Sequence, residues 1–65
     1  MKVQFTVSTE NVVEFADVLE ENELNNSIAG STQDGNLLID VQFTSETRDL
    51  LDTLADLSES DEEDK

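Results

Sequence analysis

The sequence predicts an α+β domain with the element order β-α-β-β-α. Three observations carry that prediction. Two stretches alternate apolar and polar residues with period two, two others place apolar residues at helical spacing, and an Asp-Gly dipeptide separates the middle pair of strands.

In "KVQFTVS", Val3, Phe5 and Val7 fall on one side of the strand and Lys2, Gln4, Thr6 and Ser8 on the other, the mark of a half-buried strand. Ser8 or Thr9 then offers a helix cap, with Glu10 in the first turn, where the positive end of the helix dipole favours an acid. Val12, Phe15, Ala16 and Leu19 follow at i, i+3, i+4 and i+7, and Val13 and Val18 widen the stripe. The late acids Glu20 and Glu21 oppose the dipole, so this helix is expected to fray near Asn22–Glu23.

Asp34-Gly35 is a hairpin signal, because a two-residue type I′ loop needs positive φ at both central positions. Such a loop sets Gln33 against Asn36, Ile28 against Val41 and Thr32 against Leu37. A three-residue loop slips the register and brings Asp40 opposite Ile28, which the alternation disfavours. Leu37, Ile39, Val41 and Phe43 form the buried side of the most apolar strand, while Leu38, Asp40 and Gln42 point outward. Thr44 or Ser45 caps a second helix with Glu46 in its first turn, and Leu50, Leu51, Leu54 and Leu57 make its stripe. The remainder, "SESDEEDK", has no apolar residue. The expectation is one domain over residues 1–57 and a disordered acidic tail over 58–65.

A right-handed crossover makes strand 2 parallel to strand 1, and the hairpin inserts strand 3 between them, giving the order 1-3-2. A meander, 1-2-3, is the rival. Both helices then cover one face of a three-stranded sheet. This layout is similar to a ferredoxin-like fold lacking its last strand; the resemblance is one of architecture, and no signature residues tie the chain to a family.

Seventeen acids against three bases give the 65-residue chain a net charge of −14. Residues 1–58 hold twelve acids and two bases, or −10; the remainder holds five acids and Lys65, or −4. The charge therefore belongs to the folded body. Direct binding to nucleic acid or to an anionic membrane is disfavoured, since each requires a positive footprint. No apolar run at the N-terminus reaches signal-peptide length, and a cytoplasmic location is the expectation.

With no His, Cys, Tyr or Trp, acid-base work falls to carboxylates and a few cations, and no serine has a base at a telling spacing. No catalytic residue, cofactor or metal site is expected. Asp49, Asp52 and Asp56 lie at i, i+3 and i+7, but they do not match a calcium-loop pattern and read as a solvated helix face. A chain this short buries a small core and has no disulfide, so oligomerisation is the one staple left to it.

The reading is a non-enzymatic, acidic protein-interaction module, regulatory or accessory, with a protein partner of basic character. Strand 1 has an open outer edge in the 1-3-2 order, and a homodimer or a partner strand can add there. Expected contact residues are Gln4 and Thr6 on strand 1, the acids Glu14, Asp17, Glu21, Asp49, Asp52 and Asp56, and Leu38 on the open sheet face. One alternative is a nucleic-acid mimic that inhibits a basic, nucleic-acid-binding protein. Another is an acidic domain whose carboxylates serve only hydration.

Overall fold

The computed structural model describes the backbone of residues 1–64 and the side chains of residues 1–60. Six elements follow one another: β1 (Lys2–Val7), α1 (Val12–Glu21), β2 (Asn26–Ser31), β3 (Leu37–Gln42), α2 (Leu50–Leu57) and β4 (Ser60–Asp64). The sheet order is β2-β3-β1-β4, with every neighbouring pair antiparallel. The order 1-3-2 and the two helices are those the sequence pattern predicts, and the meander is excluded.

The fourth strand is new. Residues 58–65 read as a disordered tail, yet Ser60–Asp64 lies along β1 with Thr6 opposite Ser60 and Lys2 opposite Asp64. Glu59 N–H donates to the Thr6 carbonyl at 2.6 Å and starts the ladder. Strand pairing is made by backbone groups, so an edge already formed by β1 can recruit a segment with nothing to bury. The ferredoxin-like order is thereby complete, and β1 is an interior strand. Lys65 lies outside the described residues.

The core sits between the sheet and its single helix layer. Val3, Phe5 and Val7 of β1 meet Ile39 and Val41 of β3, Phe43, Phe15 and Leu19 of α1, Leu24, and Leu54 of α2. Phe5 is at the centre: its ring stands edge-on to Phe15 at 5.2 Å and to Phe43 at 6.2 Å. Such pairs add about 0.5–1.5 kcal/mol each beyond area burial. Among the described residues no polar or charged side chain is buried. Alternation in β1 and β3 read correctly. The stripe of α1 read correctly in part: Phe15 and Leu19 are buried and Val12 and Val18 pack against the core, whereas Val13 is 67% exposed and Ala16 is also exposed.

The expected caps are displaced. Asn11, not Ser8 or Thr9, holds the N-cap position of α1, and it makes no side-chain cap bond; the Ser8 carbonyl instead accepts from Asn11 N–H at 3.0 Å in a preceding turn. Asp49 likewise precedes α2 without a side-chain cap bond. Thr44 Oγ1 accepts from Glu46 N–H at 3.3 Å, but it stabilises a run of turns over 45–49 closed by i→i+3 bonds, so Glu46 is outside the helix.

At its other end α1 stops with a defined device. Leu24 N–H donates to Leu19 C=O at 3.0 Å and Glu23 N–H to Glu20 C=O at 3.2 Å, while Glu23 takes φ 54°. This is the Schellman arrangement, and its usual apolar contact is the buried pair Leu19 and Leu24. The fraying expected at Asn22–Glu23 is thus a stop with its hydrogen bonds made.

The hairpin also differs from expectation. Thr32 N–H donates to Asn36 C=O at 2.8 Å, and Gly35 N–H to Thr32 C=O at 3.1 Å. That makes a three-residue loop, Gln33-Asp34-Gly35, with Gly35 alone at positive φ (88°), where a type I′ loop needs two. Thr32 Oγ1 adds an acceptor for Asn36 N–H at 3.1 Å. The slip this causes does not bring Asp40 opposite Ile28, because a bulge between Ile28 and Gly30 shifts β2 once more. Ile28 then faces Ile39, Ser27 faces Asp40 and Asn26 faces Val41. Two one-residue shifts restore the side-chain parity that one would have reversed.

The two positive-φ residues give opposed predictions. Glu23→Gly removes the Cβ strain at the helix stop and is expected to stabilise the domain by about 1 kcal/mol, raising Tm by about 4–8 °C. Gly35→Ala meets no atom within 4 Å, so its cost is conformational, a loss of about 1 kcal/mol. Thermal melts read both, with Glu23→Gln separating charge from backbone.

Candidate functional site

A shallow depression of about 180 Å³ lies on the bare face of the sheet, bordered by Lys2, Asn26, Ser27, Asp40 and Gln42, smaller than the roughly 300–1,000 Å³ of ordinary ligand pockets. Among the described residues no three acids converge as a metal would need, and Asp49, Asp52 and Asp56 stay strung along α2 and its N-cap. No helix among them is long and apolar enough to cross a membrane.

The predicted contact residues divide between two opposed faces. Gln4, Thr6 and Leu38 lie together on the bare sheet face, since Thr6 is opposite Leu38 and Gln4 opposite Asp40. There Gln4 Nε2 donates to Asp40 Oδ1 at 3.0 Å, and Lys2 Nζ approaches Asp40 Oδ2 at 3.8 Å. Lys2 is 48% exposed and Asp40 18%, so the pair is a half-solvated contact of small energetic weight. Leu38 is half-buried rather than fully exposed, which leaves this face mainly polar.

The proposed docking edge of β1 is closed in this structure. β3 pairs along one side of the strand and β4 along the other, so Gln4 and Thr6 cannot receive a further strand unless β4 leaves. The sequence-based expectation of an open margin failed because it judged β4 by its side chains. The outer strands of the sheet are β2 and β4.

The acidic residues lie on the other side, in the helix layer. Glu14, Asp17 and Glu21 are exposed on α1, and Asp49, Asp52 and Asp56 are exposed on α2 and its N-cap. Spacings of i, i+3 and i+7 hold each trio on one strip of its helix, and the strips are carried by helices that touch each other. Neither helix contains a Lys or Arg. Among the described residues the one ion pair is Lys2–Asp40, on the opposite face. Arg48 precedes Asp49 and lies four residues before Asp52, yet among the described residues no ion pair joins a base to a helical carboxylate. Glu20 and Glu21 in the last turn of α1, and Asp56 in that of α2, also face the negative end of a helix dipole.

Two residues escaped the sequence reading. Leu24 is core, signalled by its five-residue spacing from Leu19 across a helix end. Ile28 was assigned inward and is 67% exposed, although it faces Ile39.

The chain was compared with family models, curated proteins and solved structures, and none matches.

Uncompensated charge on so small a body opposes compaction, and salt screens it within about 10 Å at 0.1 M. Raising ionic strength from low to moderate is expected to raise Tm steadily, as followed by circular dichroism. The Asp40→Asn variant, which keeps an acceptor for Gln4, should show the same salt slope, since the effect originates in the helix layer.

Proposed function

We propose that this domain is a non-enzymatic interaction module that docks a basic protein surface against the acidic strips of α1 and α2. The observation that supports this reading is the pairing state of the helical acids. Six exposed carboxylates occupy two strips with no base on either helix, while the one ion pair among the described residues is spent on the bare sheet face. A cationic partner relieves that repulsion on binding. The long-range field speeds encounter, and affinity falls with salt.

The partner class has a narrower version. Rows of carboxylates on two neighbouring helices are also what an imitation of nucleic-acid phosphates requires, and a basic DNA- or RNA-binding groove is then the target. The layout of the strips on touching helices favours this version over a purely solubilising surface.

The test neutralises one set of acids against another. A variant with Glu14→Gln, Asp17→Asn, Glu21→Gln, Asp49→Asn, Asp52→Asn and Asp56→Asn is compared with one carrying six isosteric neutralisations elsewhere, at Glu10, Glu23, Asp34, Glu46, Glu59 and Asp61. Binding to a cationic helical peptide, read by fluorescence anisotropy at low salt, is expected to drop at least tenfold for the first variant and little for the second. Equal losses would reduce the proposal to net charge. Displacement of DNA from a basic DNA-binding protein by the unaltered domain supports the mimic; peptide binding without displacement supports the general module.

A further inference from the structure

We infer that β2 is a self-pairing edge, through which two copies of the chain join antiparallel about Ile28. The two outer strands, β2 and β4, differ sharply in charge. The β4 segment carries four consecutive acids, Asp61 to Asp64, and charge on an outer strand is a common guard against pairing. β2 has no such guard. Leu24 to Gln33 is the longest stretch of the sequence without a charged residue, in a chain of net charge −14.

Backbone geometry leaves this edge available. Gln42 N–H donates to the Asn25 carbonyl at 2.8 Å, which makes Asn25 and Gln42 a hydrogen-bonded pair. In an antiparallel ladder such pairs alternate, so Ser27 with Asp40 is the next, and the backbone groups of Asn26 and Ile28 point away from β3. The helix layer leaves this strand largely exposed: Ile28 faces Ile39, which is buried, yet is itself 67% exposed. Among the described residues Val13 is the one other large apolar side chain exposed to that degree.

A second copy is the occupant that the charge pattern fits. Two molecules at −14 repel wherever acids meet, and pairing β2 with β2 sets no carboxylate of one strand against a carboxylate of the other. A basic partner gains nothing from an uncharged edge and is drawn to the helices instead. Two-fold antiparallel pairing is self-complementary, and centred on Ile28 it lays the two exposed isoleucines side by side. Glu23 and Asp34 flank the strand at the rim of the contact, where salt screens them. The bulge just beyond Ile28 shortens the regular pairing. One short strand pair is at the small end of interface sizes, so the association is weak and reversible.

Sedimentation equilibrium of the full chain across concentration and salt tests this. The expected result is a monomer-dimer equilibrium whose dimer fraction rises with salt. Ile28→Lys places like charges directly opposite and should weaken the dimer by about tenfold or more, with the dilute-solution melt unchanged because the position is exposed. Hydrogen-bonded antiparallel pairs stand about 5.5 Å apart at Cα, within disulfide reach. Ile28→Cys should therefore cross-link under mild oxidation, whereas the control Val13→Cys should not. A wild-type monomer at every concentration and salt overturns the inference. So does a dimer unaffected by Ile28→Lys, or equal cross-linking of the two cysteine variants. Dimerisation and cationic-peptide binding are read separately, so either can fail alone.

Discussion

Phe5 is the contact on which the rest of the structure depends. It sits in β1 between β3 and β4, and its ring meets Phe15 from the helix layer and Phe43 from the end of β3, both edge-on. These are the three aromatic residues of the chain, and together they fasten the N-terminal strand, the first helix and the exit from the hairpin. The amino group of Met1 donates to Phe43 C=O at 3.1 Å, and Phe43 N–H to Met1 C=O at 2.7 Å. Backbone bonds thus close the same corner that the rings fill. For a domain with no disulfide and a core worth roughly 3–5 kcal/mol, one aromatic centre supplies a large share of what holds the layers together.

That concentration of apolar residues frees the surface for charge. Every buried side chain among the described residues is apolar, so no acid is held inside and the described helical acids remain in water. The cost is long-range repulsion rather than desolvation. Repulsion of this kind is the part of the energy that a cationic partner or salt can recover. Under the proposed reading, stability and recognition are coupled through one quantity, the unpaired charge of the helix layer.

What was legible in the sequence was whatever side-chain periodicity determines. Val3, Phe5 and Val7, like Ile39, Val41 and Phe43, declared their face by alternation, and Phe15, Leu19 and Leu54 by helical spacing. What escaped was governed by the backbone. The Asp-Gly signal was read correctly as a turn and incorrectly as a two-residue loop, because Asp34 is a competent residue in either geometry and Gly35 alone carries the positive φ. The second register shift, at the bulge past Ile28, has no side-chain signature beyond small residues at Ala29 and Gly30. The Schellman stop was hidden by a Glu where a Gly is customary. For the candidate site, the exposed helical acids were readable from spacing, whereas the division of the expected contact residues between two opposite faces required the fold.

β4 shows the limit of reasoning from hydrophobicity most clearly. Nothing in "SDEED" argues for a strand, and its composition argues for solvent. Architecture argues the other way: a β-α-β-β-α unit in the order 1-3-2 ends its second helix beside the vacant margin of β1, and the next residues to emerge have unpaired N–H and C=O groups to offer. Glu59 N–H on Thr6 C=O is that first opportunity taken. The consequence reaches the surface as well as the sheet. Once β4 closes the margin of β1, the acid-rich segment is itself an outer strand, opposite the uncharged β2. An acidic segment that looks like a solubilising appendage therefore replaces β1 as one margin of the sheet.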